Sequence, residues 1–203
     1  MRQLVIETAT AACSVALFED GELVAETHEE VGRGHAERLI PMIGALPDKG
    51  RADAILVDCG PGSFTGVRVG LAAARGLGLG WKVPVFGFSS LALIAAGADW
   101  GDEATLAVAI NGGHGQLFVQ RFERAPMRQA SDLASLVPAE AAVQIRDPLV
   151  IGNGAALLVA ARGSGEARDA AARAHVALTI PTTLRELPPT PIYGRAPDAK
   201  PMP

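Results

Sequence analysis

An α/β fold in two lobes is what this sequence predicts, on three observations. Short runs rich in Val, Ile and Leu alternate with segments of helical period. A strand hairpin opens the chain, and a second hairpin opens afresh just after residue 100. In each half a glycine turn then leads from an apolar strand into a helix. The lobes are expected at 1–100 and 101–203.

The elements follow in order. Residues 3–6 and 12–18 read as buried strands. Glu19-Asp20-Gly21 is a turn signal, and residues 22–27 return as a third strand. From 34 to 46, Ala36, Leu39, Ile40, Ile43 and Leu46 fall on helical spacing, with Pro41 inside the pattern as a kink signal. A short strand at 54–57, a glycine-rich turn and a helix at about 66–80 come next. A strand at 83–86 precedes a helix capped by Ser89. The second half repeats the scheme: strands at 106–110 and 117–122 around Gly112-Gly113-His114-Gly115, a strand at 149–151, and a helix at 155–162. The Ala-rich stretch 166–178 is expected to be helical, and the Pro-rich segment beyond Pro181 extended.

Composition narrows the function classes. Of 203 residues, 49% are hydrophobic and 20% charged, a globular balance. Net charge is −4, the only lysines are Lys49, Lys82 and Lys200, and no basic cluster appears. Since phosphate neutralisation supplies most nucleic-acid affinity, strong RNA binding by this chain alone is disfavoured. Cys13 and Cys59 form no CxxC pair and sit among apolar neighbours, as buried free thiols do. The strand pattern starts at Gln3, so no leader peptide is expected. The apolar run 83–98 contains Pro84 and is short for a bilayer span. A cytoplasmic protein with no membrane segment is expected.

The loop Gly60-Pro61-Gly62-Ser63-Phe64-Thr65-Gly66 joins a buried strand to a helix, a place where helix N–H groups favour anions. It lacks the GK[ST] ending of a P-loop, the glycine spacing of a dinucleotide fold and the glycines of a nucleophile elbow. Local physics alone favours a tight turn capped by Ser63 or Thr65.

The run GPGSFTGVRVG at 60–70 resembles the signature of the TsaB (YeaZ) family. ETATAACSVAL at 7–17, GHAERLIPMI at 34–43, VPVFGFSSL at 83–91 and PIYGRAPDAK at 191–200 agree in order and spacing. The resemblance implies an actin-like (ASKHA, ribonuclease H-like) two-lobed fold. It also implies a role as a non-catalytic partner or dimerisation subunit in forming N6-threonylcarbamoyladenosine on tRNA, beside the anticodon. The implied partners are a TsaD-type catalytic subunit and a TsaE-type ATPase, with a homodimer when the chain is alone. The tRNA would be met only through the complex, and no cofactor is expected. The chain departs from the family pattern at Glu7-Thr8-Ala9, where Asp-Thr-Ser is usual, at Asn111-Gly112-Gly113 for Asp-Ala-Arg, and at Tyr193-Gly194-Arg195 for Tyr-Leu-Arg. Glu7, Thr8, Gly62, Ser63, Phe64 and Thr65 would then be a vestigial ligand loop.

The competing reading is a stand-alone actin-like ATP-dependent phosphotransferase or hydrolase. Such an enzyme needs a short carboxylate in a glycine turn to organise metal and phosphates, and Glu7 is a methylene longer with no glycine beside it. The Asn111 turn carries no charge. His28, His35, His114 and His175 include no pair four residues apart, so no helical metal pair is present. No activity is therefore expected of the chain alone. Gly66, Gly70, Ala74 and Gly78 strip one helix face of bulk, at about 1 kcal/mol per helical glycine relative to Ala. That cost and the resemblance together place a helical partner interface on Leu39, Ile40, Ile43, Arg68, Leu71 and Arg75.

Overall fold

The computed structural model describes residues 1–195; the ending of the 191–200 motif and Lys200 lie outside the described residues. Two twisted sheets form the frame. In the first, β1 (Arg2–Glu7), β2 (Ala12–Glu19) and β3 (Glu22–Glu30) run antiparallel. After α1 (His35–Ala45), β4 (Ala54–Asp58) joins β1 in parallel. Beyond α2 (Phe64–Trp81), β5 (Val85–Phe88) extends the sheet, giving the order β3-β2-β1-β4-β5. The second sheet follows α3 (Ser90–Gly97) and repeats the plan. β6 (Thr105–Gly113) and β7 (Gln116–Arg124) make its hairpin. β8 (Met127–Gln129) and β9 (Ala134–Leu136) add to β7. After α4 (Pro138–Gln144), β10 (Leu149–Ile151) pairs in parallel with β6. After α5 (Ala155–Arg162), β11 (Glu166–Arg168) forms the far edge.

Strand alternation sends neighbours to different cores. On β1, Leu4 and Ile6 pack under α1 and α2, whereas Val5 faces the interior between the sheets. On β6, Leu106, Val108 and Ile110 face that same interior, and Ala107 and Ala109 face the side carrying α4 and α5. Between the sheets lies α3, whose Leu91, Leu93 and Ile94 are all buried; a helix apolar on every side belongs inside.

Several expectations change. The 166–178 stretch is not an α-helix: β11 opens it and only a 3₁₀ turn, Ala174–Thr179, closes it. Its alanines are used as small interior packing, Ala172, Ala174 and Ala177 all being buried, and the Ser14 hydroxyl accepts from the Ala174 amide. Tertiary contact outweighs Ala propensity here. The segment after Pro181 is not wholly extended, since it holds one helical turn, α6 (Thr182–Arg185). Pro41 lies within α1 on its exposed side, and the helix runs through it. Among the described residues no helix is long and apolar enough to cross a membrane.

The largest correction concerns the face assigned to a partner. Leu39, Ile43 and Leu71 are at most 3% exposed and belong to the core beneath α1 and α2. Glycine packing explains why: the small stripe of α2 faces the chain's own sheet, drawing the adjacent Leu71 inward with it. A carboxylate at Leu71 or Ile43 would therefore lose its hydration inside the monomer, a cost on the order of several kcal/mol. Leu71→Glu and Ile43→Glu are expected to unfold the isolated chain, seen as loss of the far-UV circular dichroism signal. A cooperative melt at the wild-type temperature would contradict this packing.

Candidate functional site

The 60–66 loop and the first hairpin turn meet main chain to main chain. The Ser63 amide donates to the Ala9 carbonyl at 2.6 Å, and the Thr8 hydroxyl donates to the Gly66 carbonyl at 2.8 Å. A Cβ on Gly62 would overlap the Ala9 carbonyl oxygen, one on Gly66 the Thr8 carbonyl oxygen, and one on Gly70 the Thr8 hydroxyl. These glycines are needed for close approach. Ser63, not Thr65, caps α2, its hydroxyl accepting from the Gly66 amide at 3.2 Å.

Behind this contact lies a pair of buried carboxyl groups. Glu7 ends β1 and Asp58 ends β4, and neither is solvent-exposed. Glu7 Oε1 accepts from the Thr10 amide, and Asp58 Oδ1 accepts from the Gly60 amide and the Ser90 hydroxyl. Glu7 Oε2 and Asp58 Oδ2 have no partner. Burial, then the neighbouring Asp58, pushes Glu7 well above the usual carboxylate range. Burial pushes Asp58 up to about 7, against the downward pull of its bonds from Gly60 and Ser90. Burial likewise pushes the Cys13 and Cys59 thiols up to about 12, so both stay protonated, free thiols in the core.

In front of the contact a cavity of about 770 Å³ opens between the two sheets. Its first wall is the turn Ala9, Thr10 and Ala11 with Gly62, Ser63, Phe64 and Arg68; its second is Asn111 to His114 with Asn153. The C-terminal segment closes the side. Gly87 and Leu187 exchange backbone bonds, the Ile192 amide donates to the Cys59 carbonyl, and Gly194 packs against the Phe118 ring of the second sheet. Two arginines of α2 hold this strap: Arg75 donates to the Pro189 carbonyl and Arg68 to the Tyr193 hydroxyl at 2.9 Å. Arg68 also lies over the Phe64 ring, 3.2 Å from its centroid.

Of the residues expected to form a ligand loop, Gly62, Ser63 and Phe64 line the cavity. Glu7 and Thr8 are buried behind it, and Thr65 is exposed outside its lining. Sequence reasoning missed Asp58, whose signal was a lone acid ending an otherwise apolar strand. It also did not place Asn153 or Tyr193 at the site: both come from distant segments, and Tyr193 stands out in the sequence only within the motif at 191–200.

Two sheets, each led by a hairpin and extended by a parallel strand, with a cleft between the hairpin turns, define an actin-like, ribonuclease H-like α/β protein. A family model described as "TsaD: tRNA N6-adenosine threonylcarbamoyltransferase" matches residues 25–163. The chain belongs to the TsaB (YeaZ) family. It is 41% identical over 130 residues to the Escherichia coli tRNA threonylcarbamoyladenosine biosynthesis protein TsaB, covering 61% of this chain and 56% of the relative. It is 44% identical over 102 residues to the Haemophilus influenzae protein of the same name, covering 47% and 42%. The match thus spans about half the length of these curated relatives. The solved structure of YeaZ from Pseudomonas aeruginosa superposes with a TM-score of 0.77 at 29% identity, over 95% of this chain and 99% of that one. A second Pseudomonas aeruginosa structure, described as similar to peptidase YeaZ, gives 0.80 at 28% identity, over 96% and 99%.

Two measurements check this geometry. Gly62→Val must push the loop off Ala9, and overpacking of this kind costs on the order of 1–3 kcal/mol, or roughly 2–12 °C in Tm at this size. The drop is expected without any ligand; an unchanged melt would remove the close contact. The second concerns Asp58. A carboxyl whose folded pKa exceeds its unfolded value binds more protons when folded, so its stabilisation is complete below about pH 4 and is lost as pH rises through about 7. Asp58→Asn keeps an acceptor for Gly60 and Ser90 but cannot ionise. Its Tm is expected to fall less than the wild type's between pH 5 and pH 8, and parallel curves would contradict the assignment.

Proposed function

We propose that this chain is the non-catalytic partner subunit of a complex that forms N6-threonylcarbamoyladenosine on tRNA, pairing through α1 and α2 with a TsaD-type catalytic subunit. The relatives' names supply the pathway, and a TsaE-type ATPase is the third member expected from the family. A second copy of the chain would occupy the same helical face when the catalytic subunit is absent.

The observation that carries the partner role is a division among the helical glycines. Gly66, Gly70 and Gly78 are accounted for inside the chain by Thr8 and Val85. Gly44, Gly76 and Gly80 are not: a Cβ there would meet nothing within 4 Å. Each costs a helix about 1 kcal/mol relative to Ala, with no internal return. They lie on the solvent faces of two neighbouring helices, beside Ile40 at 54% and Leu79 at 83% exposure. Two of the nearby charges are engaged within the chain, Arg38 in a bidentate pair with Glu29 and Arg75 with the strap. Such a surface favours close approach of another helix. The interface is accordingly proposed on Ile40 and Leu79. Arg68 and Arg75 hold the strap, and Leu39, Ile43 and Leu71 support the surface from beneath.

The phosphotransferase reading fares worse. Glu7 and Asp58 are held behind the loop, and no carboxylate lines the cavity among the described residues, so nothing there would organise a phosphate-bound cation.

Gly76→Leu tests the reading. Adding a side chain in open space should leave Tm unchanged or raise it, by up to about 1 kcal/mol of helix propensity. The same change should abolish co-elution with the TsaD-type protein in size-exclusion chromatography. Threonylcarbamoylation of tRNA should then fail, as it should when this subunit is omitted, and the subunit alone should make no product. Undiminished co-elution of folded Gly76→Leu and Leu79→Glu proteins would sink the interface.

A further inference from the structure

The exposed face of α2 has an electrostatic bias that its glycines do not explain. The chain carries 22 acidic against 18 basic residues. Yet α2 holds Arg68 and Arg75 and no carboxylate, and Lys82 ends it as the C-cap. All three are exposed and follow one another at seven-residue spacing, two helical turns or about 10.5 Å along the axis. Residues seven apart return to nearly the same side of a helix, so Arg68 and Arg75 share one stripe. Ala72, Gly76 and Leu79 lie beside them on that stripe and are exposed too. The cations therefore line the same shallow groove as the open glycines.

These charges are not neutralised within the chain. Arg2, Arg38, Arg121, Arg128 and Arg168 each meet a carboxylate. Arg68 and Arg75 meet neutral groups instead: the Tyr193 hydroxyl and the Phe64 ring for the first, the Pro189 carbonyl for the second. A bond to a hydroxyl or a carbonyl occupies a donor but leaves the positive charge uncompensated. Among the described residues none of the three cations has a carboxylate partner. On α1 the one acid is Glu37, and Arg38 is already paired with Glu29. Lys82 also suits the negative end of the helix dipole, but that effect fades within the last turn and does not reach Arg75 or Arg68.

We propose that this face takes a partner helix bearing carboxylates at seven-residue spacing, which lie along Arg68, Arg75 and Lys82 while the helix settles over Gly76. A second copy of this chain would bring like cations together, so the row selects a different partner over self-pairing. The inference rests on the helical interface proposed above and adds its charge. Apolar contact at Ile40 and Leu79 holds the complex, and the row sets its rate of approach and its register.

Surface-plasmon kinetics of the full chain on the immobilised TsaD-type protein test it. Raising NaCl from about 0.05 M to about 0.5 M should slow association by about tenfold or more and change dissociation little. Lys82→Gln removes a charge alone, and Arg75→Gln removes a charge while keeping N–H donors for the Pro189 carbonyl. The double variant should associate about threefold or more slowly at low salt and show a shallower salt dependence. Arg75→Lys should behave as the wild type. A loosened strap would instead lower affinity equally at both salts, and melting curves confirm that the variants are folded. Association indifferent to salt, or a double variant with the wild-type salt dependence, would overturn the proposal and leave the interface standing. No association at either salt would overturn both. Self-association of the chain alone that salt weakens as strongly would assign the row to a second copy and overturn the proposal too.

Discussion

Backbone touches backbone where the first hairpin turn abuts the amino end of α2, and the Thr8 and Ala9 carbonyls fill the space that side chains at 62, 66 and 70 would need. Because no Cβ intervenes, α2 sits directly on the strand ends, with its first turn fixed to the turn after β1 by the Ser63 and Thr8 hydrogen bonds. The positions of Phe64, Arg68 and Arg75 follow from that seat, since a helix fixed at one end has its azimuth fixed along its length. The strap follows in turn: Arg68 and Arg75 receive Tyr193 and Pro189, and Gly194 carries the connection to Phe118 across the cleft. One close contact in the first sheet thus shapes a cavity part of whose wall belongs to the second.

The same contact decides where charge can be. Glu7 and Asp58 end the strands on which α2 sits, so they are sealed beneath the loop and do not point into the cleft. A buried carboxylate without full hydrogen bonding is expensive, and the cheaper state is the protonated one. Burial raises both groups accordingly. Their amide and hydroxyl partners make the carboxyl groups part of the turn architecture. Among the described residues no carboxylate lines the cavity in front.

The fold was legible because its signals were local and periodic. The strand runs at 3–6, 12–18 and 149–151, the glycine turns and the Ser89 cap all appear where the pattern put them. No pattern was read between 123 and 148, where β8, β9 and α4 are short elements docked on β7 and α5. The failures have one cause. Ala172 to Ala177 read as helix from propensity, and Leu39, Ile43 and Leu71 read as a partner face from the cost of helical glycines and the family resemblance, but packing against a distant strand outranked both. The site was half legible: Gly62, Ser63 and Phe64 stand in one motif, whereas Asn153 and Tyr193 meet them only through the two-sheet topology.

The two kinds of helical glycine bear on how α2 is divided. Toward its amino end the glycines are buried under main chain, and the helix is held by capping and close contact. Toward its carboxyl end Gly76 and Gly80 face open space, Leu79 is mostly exposed, and of the glycines only Gly78 touches the sheet, at Val85. Propensity alone makes this second half the weaker helix, by about 1 kcal/mol for each glycine. Helices that needed only their own sheet would lose nothing by carrying alanine at 44 in α1 and at 76 and 80 in α2. What alanine would remove is the shallow groove between side chains into which another helix can settle. The glycines at the carboxyl end are therefore a cost with no return inside the free chain, whereas those at the amino end are offset within the chain itself.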